Sequence, residues 1–114
     1  MKGFFSTLMG ALSGGPSSDD LTAMAAEADV LYLDVRSPAE YDSGHIPGAI
    51  NIPLPEIHRA AAVIGATTRP VIAYCRSGAR SGSATSTLKG QGFERVINGG
   101  GATGLARALG VELT

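Results

Sequence analysis

Groups that usually advertise chemistry are scarce in this chain. Its 114 residues include one cysteine and two histidines. A lone thiol excludes an internal disulfide. One cysteine with two separated histidines, His45 and His58, makes no convincing ligand set, so no metal is expected. The formal charge is −1 and no Lys/Arg cluster occurs, which argues against a nucleic-acid surface. No apolar run approaches the roughly 20 residues of a membrane-spanning helix. Repeats and low-complexity tracts are also absent. What remains suits one domain, long enough to bury roughly two-thirds of its unfolded surface, with sixteen glycines and six prolines for tight turns.

The chemistry therefore concentrates around Cys75. Residues 71–74, Val-Ile-Ala-Tyr, follow Pro70 and read as a short buried parallel strand. Ala84 and Leu88 fall on one face at helical spacing, so a helix is predicted from Ser81 to about Gln91. Between them lies a loop, Cys75-Arg-Ser-Gly-Ala-Arg80. Such a loop is a natural anion cradle: backbone N–H groups form a nest, the helix N-terminus adds partial positive charge, and Arg76 and Arg80 add full charges. An ordinary thiol titrates near about 8.5, and a downward shift of about two units makes it mostly thiolate at neutral pH. A buried apolar filler is the bland alternative. Two flanking arginines make that a poor arrangement for burial.

Three ordered motifs give the chain a broad resemblance. They are Leu-Asp-Val-Arg-Ser-Pro-Ala-Glu-Tyr at 33–41, Gly-His-Ile-Pro-Gly-Ala-Ile-Asn-Ile-Pro at 44–53, and the Cys75 loop. Together they resemble the rhodanese-like sulfurtransferases, specifically the small single-domain members. The closing Asn-Gly-Gly-Gly at 98–101 is most similar to the phage-shock-protein-E branch. The resemblance implies a small α/β rhodanese-like domain, with a mostly parallel central sheet, helices on both faces and the cysteine loop at the sheet's carboxyl edge. It implies a thiosulfate sulfurtransferase in which Cys75 is catalytic and carries sulfane sulfur as a persulfide. Arg76, Ser77, Gly78, Ala79 and Arg80 would bind the donor, with Asp34, Arg36 and Ser81 in support. No cofactor is implied, and the acceptor would be a small thiophile, a thiol or a protein. In larger two-domain members a basic residue near the position of Glu40 helps hold the substrate anion; here that residue is acidic. The rival readings are a sulfur carrier or binding module without turnover, and a cysteine-based phosphatase or arsenate reductase.

The remaining elements follow from pattern. Residues 1–15 form a tail or short amphipathic helix through Phe4, Phe5, Leu8, Met9 and Leu12, and residues 16–114 the domain. The apolar core after Lys2 is short for a secretory signal. An uncleaved tail that docks on the domain, or makes a weak membrane or partner contact, is expected, with a cytoplasmic monomer; cleavage after Ser13 and a periplasmic site is the alternative. A helix runs from the Ser17–Ser18–Asp19 caps to about residue 28, a strand covers 30–35, one helical turn 38–42, a strand 49–52, a helix 55–64 and a strand 95–97. Asp34 and Arg36 read as a surface ion pair worth under about 1 kcal/mol, or, as the resemblance implies, as residues at the sheet's carboxyl edge that support the loop. His45 could act as a general base for Cys75, but the resemblance implies a structural histidine that fixes its Gly-His-Ile-Pro turn; His58 is expected to be exposed. Residues 99–104 match G-x-G-x-x-G, but no second strand follows and no acidic residue stands about twenty positions on. The glycines are instead expected to let backbone pass close to the cysteine loop, or to serve simple turn chemistry.

Overall fold

The computed structural model describes residues 18–114, and the expectations for residues 1–15 lie outside the described residues. Four strands carry the architecture: β1 Leu31–Asp34, β2 Ile50–Asn51, β3 Val71–Cys75 and β4 Val96–Gly101. Helix α1 Ser18–Ala25 precedes β1, and α2 Pro38–Asp42 follows it. A 3₁₀ segment, Leu54–Arg59, runs into α3 Ala60–Ile64 ahead of β3; α4 Ala79–Gly90 links β3 to β4; α5 Ala102–Leu109 comes last. The strands pair in the order β2-β1-β3-β4, parallel throughout.

Strand β3 lies between β1 and β4, and all five of its residues are buried. That explains why its sequence is a continuous apolar run instead of an alternating one. Side-chain alternation then divides it between two cores. Val71, Ala73 and Cys75 pack with Ile57, Ala60, Ile64, Ala84 and Leu88, on the side covered by α3 and α4. Ile72 and Tyr74 pack with Met24, Leu105 and Ala106, on the side covered by α1 and α5. Cys75 is thus set on the same face of the sheet as α4, at the strand's carboxyl end.

Two differences from the sequence expectations bear on the site. Helix α4 begins at Ala79 instead of Ser81, so Ala79 and Arg80 belong to its first turn and the loop proper is Arg76, Ser77 and Gly78. Gly78, at φ 97, turns the chain into the helix, and its carbonyl accepts from the Gly82 N–H at 3.0 Å. Strand β4 runs on through the glycines instead of ending at Ile97. Ala73 pairs with Asn98 but Cys75 pairs with Gly101, so β4 carries one extra residue there. This is a β-bulge, with Gly100 at φ 84. Elsewhere the predicted 55–64 helix divides into the 3₁₀ segment and α3, while α1 stops at Ala25.

Candidate active site

Cys75 has 0% of its surface exposed. Its Sγ accepts a hydrogen bond from the Gly78 N–H at 3.0 Å, and the Ser81 hydroxyl lies 3.4 Å away. The N-cap of α4 is Gly78, which has no side chain to satisfy the first-turn N–H groups. Of those groups, the Ser81 N–H acts on the sulfur. Burial pushes the thiol up, but the Ser81 hydroxyl and the backbone N–H groups of Ser81, Ser77 and Gly78 more than offset it and bring Cys75 down to about 7. The cradle expected from the sequence is therefore built mainly from hydrogen-bond donors.

The two arginines differ from one another. Arg80 Nη1 and Nη2 donate to Glu40 Oε1 and Oε2 at 2.8 and 3.0 Å. Glu40 also caps the start of α2: its N–H donates to Ser37 Oγ and its Oε1 accepts from the Ser37 N–H at 3.0 Å. Arg80 first, and then the Ser37 N–H, lower the Glu40 carboxyl to about 2. Arg80 thus stands beside the loop with its charge already matched, which corrects the expectation of a second full charge for an incoming anion. Arg76 is exposed and, among the described residues, makes no ion pair. It lines a cleft of about 190 Å³ together with Arg36, Glu40, Ser43, Thr103 and Leu113.

Asp34 and Arg36 are no surface pair. They are 0% and 6% exposed. Arg36 Nη2 donates to Asp34 Oδ2 at 2.6 Å and to the Gly44 carbonyl at 2.6 Å, while Nε reaches both carboxylate oxygens at 3.0 Å. Such a pair fixes geometry more than it adds stability, since losing either partner leaves an uncompensated buried charge. It ties the end of β1 to the Gly44 turn and brings Arg36 to the cleft wall. His45 is held in that turn. Its ring stacks on Tyr41 at 3.8 Å between centroids, Nδ1 lies 2.9 Å from the Tyr41 carbonyl, and its backbone pairs with Thr114. His58 is exposed.

Of the expected donor-binding residues, the structure brings the Ser77 and Gly78 backbones to Cys75 and Arg76 to the adjoining cleft. Ala79 is exposed in the first turn of α4. Sequence reasoning missed the partnership of Glu40 with Arg80. It also missed Asn98, whose Oδ1 lies 2.7 Å from the Ser81 hydroxyl and whose Nδ2 donates to the Gly78 carbonyl at 3.0 Å. Its signal was an amide side chain, unusual inside a strand, just ahead of three glycines. The glycines do let backbone approach the loop, as expected: a Cβ at Gly101 would overlap the Arg76 carbonyl oxygen.

Comparison with known proteins gives a consistent result. The Rhodanese-like domain pattern matches residues 17–104. A sulfurtransferase of Allochromatium vinosum is 43% identical over 82 residues, covering 71% of this chain and 76% of that protein. The thiosulfate sulfurtransferase PspE of Escherichia coli is 40% identical over 76 residues, covering 66% and 73%. Among solved structures, a rhodanese with anions from E. coli superposes with a TM-score of 0.65 at 38% identity, covering 68% of this chain and 92% of that one. A pattern spanning most of the chain, relatives aligned over most of their own length and a matching parallel sheet have one reading: this chain belongs to the rhodanese-like sulfurtransferase family.

Proposed function

We propose that the protein transfers sulfane sulfur from thiosulfate, or a similar anionic donor, through a persulfide on Cys75. One observation carries the reading: hydrogen-bond donors converge on Cys75 Sγ at the end of the central strand and bring the thiol to about 7. The Cys75 thiolate attacks the outer sulfur of thiosulfate. The S–S bond of the donor breaks, sulfite leaves with the electron pair, and a Cys75 persulfide anion remains. An acceptor thiolate or cyanide then takes the outer sulfur, and the Cys75 thiolate is the leaving group. Charge balances in both steps, with no outside oxidant or reductant. Splitting the transfer through a covalent intermediate predicts ping-pong kinetics. Arg76, exposed at the cleft, is the cation that would meet the donor anion.

The Cys-to-Arg spacing supports sulfur over phosphorus. Four residues separate Cys75 from Arg80, one fewer than in phosphatases with a Cys-x5-Arg cradle. A shorter loop leaves little room for a tetrahedral phosphate, and a displacement of about 1 Å can cost on the order of a hundredfold in rate. The test is intact mass after incubation of the reduced protein with thiosulfate, then with cyanide. One sulfur atom should be gained and then lost, and Cys75→Ser should show neither change. A stable adduct that no acceptor removes would identify a carrier. Absence of any adduct, or aryl-phosphate hydrolysis abolished by Cys75→Ser, would overturn the proposal.

A further inference from the structure

We infer that Asn98 is a positioning residue for the Cys75 nucleophile, because its Oδ1 competes with Cys75 Sγ for the single proton of the Ser81 hydroxyl. The inference rests on Cys75 being the reacting group.

The orientation of the amide follows from its partners. The Gly78 carbonyl can only accept and the Gly100 N–H can only donate, so Nδ2 faces Gly78 at 3.0 Å and Oδ1 faces Gly100 at 2.9 Å. Ser81 Oγ therefore meets an acceptor at 2.7 Å on one side and the sulfur at 3.4 Å on the other. Both Oγ and Sγ are buried. One hydroxyl has one proton. While Cys75 is a thiol, its S–H can donate to Ser81 Oγ and the Ser81 proton stays on Asn98. When Cys75 ionises, the sulfur needs a donor, and the hydroxyl turns to it at the expense of the Asn98 contact. With a persulfide, negative charge moves to the outer sulfur and the hydroxyl returns to Asn98. The pair thus follows the charge on Sγ, which is the nucleophile in one half-reaction and the leaving group in the other.

The charged groups around this pair are Arg76 in the loop, Arg80 on α4 bound to Glu40 of α2, and the Asp34–Arg36 pair at the carboxyl end of β1; β4 contributes none. All are present in every variant below, so a comparison between Ser81 backgrounds cancels them.

The experiment is a pH titration of thiolate ultraviolet absorbance on the reduced full chain, with Cys75→Ser as the blank. Ser81→Ala removes a donor and should raise the midpoint. Asn98→Ala removes the competitor and should lower it by about half a pH unit, roughly threefold more thiolate below the midpoint. In the Ser81→Ala background that lowering should vanish. The Gly78 carbonyl also accepts from the Gly82 N–H at 3.0 Å, a bond in which neither side chain takes part. A merely structural role would have the opposite sign, since a loosened loop loses donors and the midpoint rises. A rise with Asn98→Ala, or an equal shift in both backgrounds, overturns the inference. Should Asn98→Ala fail to fold, the nearly isosteric Asn98→Asp takes its place. Its carboxylate holds the Ser81 proton more strongly, so the midpoint should rise, and rise less without Ser81; an equal rise, or a fall, overturns the inference. Because the readout is ionisation and not turnover, it is separable from the sulfur-transfer assignment, which the mass measurement tests.

Discussion

At the scale of single residues, the charge balance of the site turns on Glu40. Its bridge to Arg80 is partly exposed, 38% on the arginine side and 28% on the glutamate side, and so adds no more than about 1 kcal/mol to stability. Its consequence lies in the field that a donor anion meets. With Arg80 matched, Arg76 is left as the attracting charge at the cleft, and the two residues should respond in opposite directions. Arg76→Ala is expected to raise KM for thiosulfate at low salt by roughly fivefold, the equivalent of about 1 kcal/mol. Glu40→Gln should lower KM by a similar factor. Both effects should shrink as ionic strength rises and the screening length falls to about 10 Å near 0.1 M. Glu40 stays ionised down to about pH 2, so the Glu40→Gln effect should be flat across neutral pH. Steady-state kinetics across a salt series checks this; an unchanged KM in either variant at low salt would exclude the assigned role.

The elements differ in how openly their sequences announced them. Strand β3 was legible because four successive apolar residues after a proline have few other homes, and the cysteine loop because its two arginines contradict a filler role. Glu40 was opaque because its partner lies 40 positions away, beyond the reach of any local pattern. Asn98 was opaque because an asparagine ahead of three glycines reads as a turn. Its pairing with Ala73, followed by that of Cys75 with Gly101, reveals it as part of a bulged strand. That bulge presses β4 against the loop, which gives a prediction at this scale. Gly101→Ala sets a methyl group against the Arg76 carbonyl oxygen, a backbone atom with no cheap escape. The sheet should persist by circular dichroism, while sulfur transfer falls on the order of a hundredfold, as for a displacement of about 1 Å. Gly104→Ala is the control. Its site in α5 is open, and the substitution should keep activity and add about 0.5–1 kcal/mol of stability. Equal activities in the two variants would mean that the close approach has no bearing on the loop.

For the whole molecule, the state of one thiol is linked to folding. The native Cys75 thiol lies at about 7, below the roughly 8.5 of an unfolded chain. Between those values the unfolded chain holds a proton that the native chain has released, so stability rises with pH. The contribution, about 2 kcal/mol, is complete above the unfolded value and is lost as pH falls through about 7. Urea unfolding of the reduced protein, taken relative to Cys75→Ser, should therefore show a stability difference that grows between about pH 6 and about pH 9. A flat or falling difference would mean that the donors around Sγ do not favour the thiolate.

The same donors are the Ser81 hydroxyl and peptide groups of the Cys75–Gly78 turn and the first turn of α4, and they face the sulfur only after strand, loop and helix have assembled. A chain leaving the ribosome carries an ordinary, mostly protonated thiol. Maturation of the reagent and maturation of the fold are one event, and no separate activation step is needed to keep the half-made protein chemically quiet.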